Sequence, residues 1–114
     1  MTTTEYKEEK LICGNIITDQ VPLKADTYYR GMPLTYDSDT NLYGYSATGS
    51  VIFAVYLGGA QETSRVLSTS GYGSVIKSGE LYEEGFVNDS NVALTIDEDF
   101  KAAAGVRGFH IRRK

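Results

Sequence analysis

The chain has 114 residues, 41% hydrophobic and 23% charged, with fifteen acids against eleven Lys and Arg for a net charge of −4. That is room for one globular domain and too little for two ordinary ones, in a mix typical of folded rather than disordered chains. No apolar run approaches the roughly 18 residues that span a bilayer. Bases gather only at Arg107, Arg112, Arg113 and Lys114, so the body carries no basic stripe for a nucleic-acid duplex.

The start, "MTTTEYKEEK", is polar and acidic-leaning, unlike a secretory signal or a transit peptide, which predicts a protein that stays where it is made. Residues 1–10 offer almost nothing to bury and read as a flexible N-terminal arm. Its threonines favour extended conformations without anchoring them. Residues 11–114 read as a single β-rich domain, since Thr, Val, Ile, Tyr and Phe are plentiful and twelve glycines are scattered among them.

Leu11 to Thr18 is a strand, bent or bulged at Gly14-Asn15. Cys13 lies in its apolar run "LICGNII" and reads as buried. "TDQVPLKADT" reads as a connection, with Pro22 holding the chain extended. Met32 to Tyr36 is a short strand, which Pro33 confines to an edge or a strand start. Leu42 to Tyr45 returns from it, Ala47 to Ser50 turns again, and Val51 to Leu57 is an apolar strand expected to be buried on both faces.

Between the first two of these lies "YDSDTNLYGY". Asp37, Asp39 and Asn41 alternate as in the opening of an EF-hand loop. Such a loop needs Gly at its sixth position and a bidentate Glu at its twelfth, and those places hold Leu42 and Thr48. Asp, Ser and Asn side chains that bond back to their own backbone account for the stretch as a turn.

Further on, "AQETSRVLSTSGYGSVIKSGELYEEGFV" supplies two or three strands, with a turn at Ser70 to Gly73 and a tight turn or bulge at "KSGE", 77–80. A P-loop would need Gly-x4-Gly-Lys-[Ser/Thr], and that spacing is absent. Thr95 and Glu98 have capping-box spacing, and Asp97, Glu98 and Asp99 suit the positive end of a helix dipole. They predict one helix from Ile96 or Asp97 to Ala104, stopped at Gly105. Phe100, Ala103 and Ala104 share a face at i, i+3, i+4 and are expected to pack on the sheet. "VRGFHIRR" closes the chain as a strand with Val106, Phe109 and Ile111 as apolar anchors.

The candidates for chemistry are few. One Cys and one His exclude a four-ligand N/S zinc site within a monomer. His110 has no partner that the pattern specifies, with Ser68 or Asp89 the nearest conceivable, and reads as a structural or surface residue. Glu83 and Glu84, if in a strand, would point to opposite faces and form no acid/base pair. They read as a solvated rim. Tyr28, Tyr29, Tyr36, Tyr43 and Tyr45 cluster among nine tyrosines, and suit either a contact surface or the lining of a small β core. The expectation is no catalytic, cofactor or metal residues.

"RGMPLTYDSDTNLYGYSATGSVIFAVYLGG" resembles the central segment of lambda-type phage head decoration proteins: an apolar-Pro-Leu strand, a turn, a short return, a glycine-containing turn and an apolar strand. "VIKSGELYEEGFV" resembles that family's Lys-Ser-Gly strand pair, and "DEDFKAAAGVRGFHIRR" its helix, stop and closing strand. The likeness covers about residues 30–112, in order and spacing. The arm "MTTTEYKEEK" is poorer in Pro, Gly and Ala than the family's, and "LICGNIITDQV" is more strand-like.

The resemblance implies a mainly β, α+β fold with one short helix: a small β-barrel or β-tulip-like decoration domain with an extended N-terminal arm. It implies a non-enzymatic homotrimer on the outer capsid surface of a virion, at three-fold or quasi-three-fold positions of the expanded phage head. There it would cement the shell against internal DNA pressure, with the major capsid protein as partner and neither nucleic acid nor membrane. Thr2, Thr3, Thr4, Glu5, Tyr6 and Lys7 are the expected capsid-binding residues, joining a shell strand through backbone bonds. Arg112, Arg113 and Lys114 form either an added contact or a solubilising tail. The competing expectation is a carbohydrate- or receptor-binding β module with the tyrosines as stacking platform. A third is a small hydrolase built on His110.

Overall fold

The computed structural model describes residues 11–46, 54–58 and 64–113. Along them run β1 (Ile12–Leu23), β2 (Asp26–Tyr28), β3 (Pro33–Asp37), β4 (Leu42–Tyr45), β5 (Ala54–Tyr56), β6 (Arg65–Leu67), β7 (Gly71–Tyr82), α1 (Glu98–Val106) and β8 (Phe109–Arg112). The protein is mainly β with a single short helix. The main sheet has the order β1-β4-β3-β5-β7-β8, and β1 also pairs with β7, so five strands bond in a ring. β8 lies outside that ring, parallel to β7. β2 and β6 make a separate antiparallel pair.

The long partners β1 and β7 are antiparallel from Ile12↔Leu81 to Leu23↔Gly71. Their register slips twice. Four steps on β1, from Ile12 to Ile16, cover only two on β7, Leu81 to Gly79, which places the expected bulge at Gly14-Asn15. Ile17↔Ser78 is followed by Thr18↔Ile76, so Lys77 is the extra residue and "KSGE" is a bulge inside a strand, not a tight turn. The preceding turn falls at 68–70, and Gly71 already belongs to β7.

One reading is overturned here: of the expected connection 18–27, residues 19–23 continue strand β1, and Asp26 and Thr27 open β2. Pro22 pairs with Tyr72 on one side, and on the other β4 meets β1 only at Leu23↔Tyr43. The missing N–H of proline therefore costs the ring no bond. Pro33 opens β3, as a proline in a paired strand should.

The burial of β5 on both faces explains its apolar run. Ala54, Tyr56 and Val75 face one cluster with Val21, Leu23, Tyr28, Met32 and Leu34. Val55 and Ile76, paired across the same two strands, face a second cluster with Leu11, Leu81, Phe86, Phe100, Ala104 and Phe109. The β5–β7 pair is thus a wall between two cores, one of them roofed by α1. The arm expected at residues 1–10, the turn at 47–50 and the start of the apolar strand at 51–53 lie outside the described residues.

The helix begins later and ends later than its sequence signals. Asp97, not Thr95, is the N-cap, its carboxylate accepting from Phe100 N at 2.8 Å. Gly105 is helical, and the chain leaves the helix at Arg107 and Gly108, the latter at φ +89. Phe100 and Ala104 are buried and Ala103 half-buried, as their spacing predicts. Val106 is 85% exposed and anchors nothing; Phe109 is buried, and Ile111 packs beside it.

Candidate functional site

The bulge of β1 lies across from Glu80 and that of β7, at Lys77, follows after the pairs Ile16↔Gly79 and Ile17↔Ser78; beside them runs β8. Between the three strands lies a hollow of about 460 Å³, lined by Asn15, Ile16, Ile17, Ser78, Gly79, Glu80, Gly108, His110 and Arg112. Its depth comes from glycine. At Gly79, φ is +142 and an added Cβ would lie 2.5 Å from the Asn15 carbonyl oxygen. The backbones of β1 and β7 can approach there only without a side chain.

Glu80 organises the rim. One carboxylate oxygen accepts from Arg112 Nη2 at 2.7 Å and the other from the Asn15 backbone N–H at 3.2 Å. His110 stands exposed on β8, paired in register with Glu80. Ser78, His110 and Glu80 thus share one hollow, yet among the described residues no hydrogen bond joins the three in a relay. The carboxylate that would orient the imidazole is occupied by Arg112 and Asn15. Neither Ser68 nor Asp89 lines this hollow. Of its two isoleucines, Ile17 is 65% exposed, whereas Ile16 packs against the core cluster of Leu11, Val55 and Ile76.

Sequence reasoning singled out His110 but missed Ile17, Ser78, Glu80 and Asn15 around it. The signal was present in the two predicted irregularities, Gly14-Asn15 and "KSGE"; what it lacked was their register, which only pairing supplies.

Elsewhere, charged groups serve the fold. Glu83 and Glu84 sit in a 3-10 turn, Glu83–Gly85, not in a strand. Glu83 is no solvated rim residue: Lys101 Nζ lies 2.7 Å from its Oε2 and Arg113 Nε 3.4 Å from its Oε1. The Lys101 ammonium, with Arg113 adding to it, holds the Glu83 carboxyl below its usual range, and Glu83 in turn raises Lys101. Asp37 is likewise spoken for, accepting from Lys24 Nζ at 2.8 Å and from Asp39 N at 2.9 Å. With Asn41 at φ +58 and its N–H on the Asp37 carbonyl, residues 37–41 are the turn the sequence implied. Among the described residues no three His, Cys, Asp or Glu come together as a metal group. Cys13 is half-buried.

The tyrosine cluster is mostly core. Tyr28 and Tyr56 are fully covered and stack at 5.4 Å; Tyr29, Tyr43 and Tyr45 pack against the same cluster. Tyr36 alone of the five is exposed, at 37%, tilted over Tyr43. Lys77 reaches Tyr43, donating to its hydroxyl at 2.9 Å. Among the described tyrosines, Tyr36 and Tyr72 are the exposed ones, at 37% and 65%. Thr2, Thr3, Thr4, Glu5, Tyr6 and Lys7 lie outside the described residues. No protein-family model matches the chain, and no curated protein matches it.

Proposed function

We propose that the chain is a capsid decoration protein that binds the outside of an expanded phage head as a homotrimer and cements the shell. The observation that carries the reading is the order of elements along the fold. The apolar-Pro-Leu segment is β3, its short return β4, the apolar strand β5, the Lys-Ser-Gly segment β7, the Asp-Glu segment α1 and the last apolar segment β8. That order of strands, helix and strand supports the reading; the Lys-Ser-Gly segment departs from it, being part of one strand where the resemblance implies a strand pair.

The physical mechanism is strand addition by residues 2–7 to an open sheet edge of the major capsid protein. Ordering an arm costs roughly 1–2 kcal/mol per residue in backbone entropy. One arm therefore binds weakly, while three on one trimer gain on the order of 10²–10⁴ in avidity. Removing residues 2–10 is expected to leave the circular dichroism spectrum and melting temperature unchanged and to abolish co-sedimentation with emptied, expanded capsids. Undiminished co-sedimentation of the truncated protein would refute the arm mechanism.

A further inference from the structure

The hollow between β1, β7 and β8 holds more hydrogen-bonding capacity than the fold uses. Its volume of about 460 Å³ falls within the range of small-molecule sites, and Gly79 and Gly108 contribute only backbone to its lining. Glu80 and Arg112 stand side by side there, joined at 2.7 Å, so their charges offset each other. Both keep capacity to spare. Each Glu80 oxygen accepts one bond, from Arg112 Nη2 or from the Asn15 N–H, and a carboxylate oxygen can accept two. Arg112 retains donors on its other nitrogens and is 63% exposed in its side chain. The Asn15 side-chain amide, the Ser78 hydroxyl and the His110 ring line the same hollow and make no hydrogen bond among the described residues.

Donors and acceptors are thus mixed at close range around an offset pair of charges. An anion entering the hollow meets Glu80, and a cation meets Arg112. A wholly apolar ligand strips water from these groups without replacing its bonds, which is costly. A hydroxyl suits the place because it donates and accepts at once. Two neighbouring hydroxyls on one ring give a proton to Glu80 and receive one from Arg112, and such charge-assisted bonds are stronger than neutral ones. Ile17, 65% exposed beside them, offers an apolar surface to the C–H face of the same ring.

We propose that this hollow binds a neutral sugar, one pyranose ring held through its hydroxyls by the Glu80–Arg112 pair, with Asn15, Ser78 and His110 as further partners. The proposal does not depend on the decoration reading. It places sugar binding on the β1–β7–β8 face and not on the tyrosines. The Glu80 carboxylate is already fixed by the Asn15 N–H and Arg112, so little ordering opposes binding. A single ring with a few bonds and small apolar cover has a dissociation constant on the order of 1 mM.

The test titrates the full chain, labelled with nitrogen-15, with the methyl glycosides of glucose, galactose and mannose and with N-acetylglucosamine, following backbone amide resonances. The expected result is a saturable shift with at least one of these sugars, confined to the amides of Asn15, Ile17, Ser78, Gly79 and His110. Ser78→Leu, which fills the hollow, is expected to keep the native circular dichroism spectrum and weaken that sugar about tenfold or more. Arg112→Met, at an exposed side chain, removes donors without filling space and is expected to weaken it as well, which keeps the proposal open to refutation if Ser78→Leu does not fold. The proposal is overturned if none of the four sugars gives a saturable shift, or if the shifts fall elsewhere. Binding unchanged in Arg112→Met overturns it too. So does sodium acetate or sodium sulfate shifting the same amides more tightly than any sugar, since that marks an anion site.

Discussion

Glu83 ties three parts of the chain together: the 3-10 turn after β7, the middle of α1 through Lys101, and the segment after β8 through Arg113. Its pKa is lowered in the fold, chiefly by Lys101, so its contribution is full above the unfolded carboxylate value of about 4.3 and is lost as pH falls through the lower folded value. Glu83→Gln is therefore expected to lower stability at neutral pH, with the gap to wild type closing below about pH 4 in urea melts. Tyr28 behaves in the opposite sense. Burial first, and Asp26 second, push its pKa up to about 12. The neutral phenol's contribution is complete below the unfolded value of about 10 and disappears as pH climbs towards the folded one. The hydroxyl also donates to the Lys24 carbonyl at 2.6 Å. Tyr28→Phe should cost about 1 kcal/mol at pH 8, and should flatten the alkaline decline that wild type shows between pH 10 and 12. An alkaline limb identical in both proteins would mean that the phenol stays neutral for some other reason.

At the scale of elements, what could be read from the sequence was what local chemistry decides. The 37–41 turn follows from Asx bonding, β4 at Leu42–Tyr45 follows as the return from that turn, and the buried character of β5 follows from its apolar run. The misreadings share a cause, which is that a remote partner decided the outcome. Residues 19–23 look like a connection because Asp19, Gln20 and Pro22 are poor strand formers, yet β7 opposite them holds the strand straight. Thr95 offered a capping box, but Asp97 has its carboxylate nearer the first free N–H groups and wins. Gly105 looks like a stop in the sequence, and tertiary packing of Ala104 carries the helix past it to Val106. The hollow is invisible in the sequence because neither bulge means anything until β1 and β7 are laid side by side in register. Two substitutions test these assignments. Asp97→Ala should destabilise the protein by about 1 kcal/mol, the ordinary worth of an N-cap, whereas Thr95→Ala should change the urea midpoint little. Gly79→Ala should cost more than its loss of backbone freedom suggests, because its φ is left-handed and the new Cβ has the Asn15 carbonyl 2.5 Å away. An unaltered midpoint for Gly79→Ala would place the close approach of β1 and β7 in doubt.

The molecule as a whole is a ring with one strong side and one thin seam. β1 and β7 match along nearly all of their twelve residues each, and β7 also carries β5 and β8 on its other edge. Across the ring, β1 and β4 meet at a single paired position, Leu23↔Tyr43. Lys24 reinforces that seam from three atoms: its N–H donates to the Tyr43 carbonyl at 2.8 Å, its carbonyl accepts from Tyr28, and its ammonium meets Asp37 at 2.8 Å. The ammonium–carboxylate contact is partly exposed and contributes modestly, so the seam depends on two backbone-directed bonds and on Leu23 beneath it. Elements with few bonds and an exposed edge open at a lower free energy than the whole. Native-state hydrogen exchange should therefore find the Lys24 amide opening well below the global unfolding free energy, while Val75 and Ile76, buried between the two clusters, exchange only on global unfolding. If Lys24 instead proves as protected as Ile76, the ring is held shut by more than this seam.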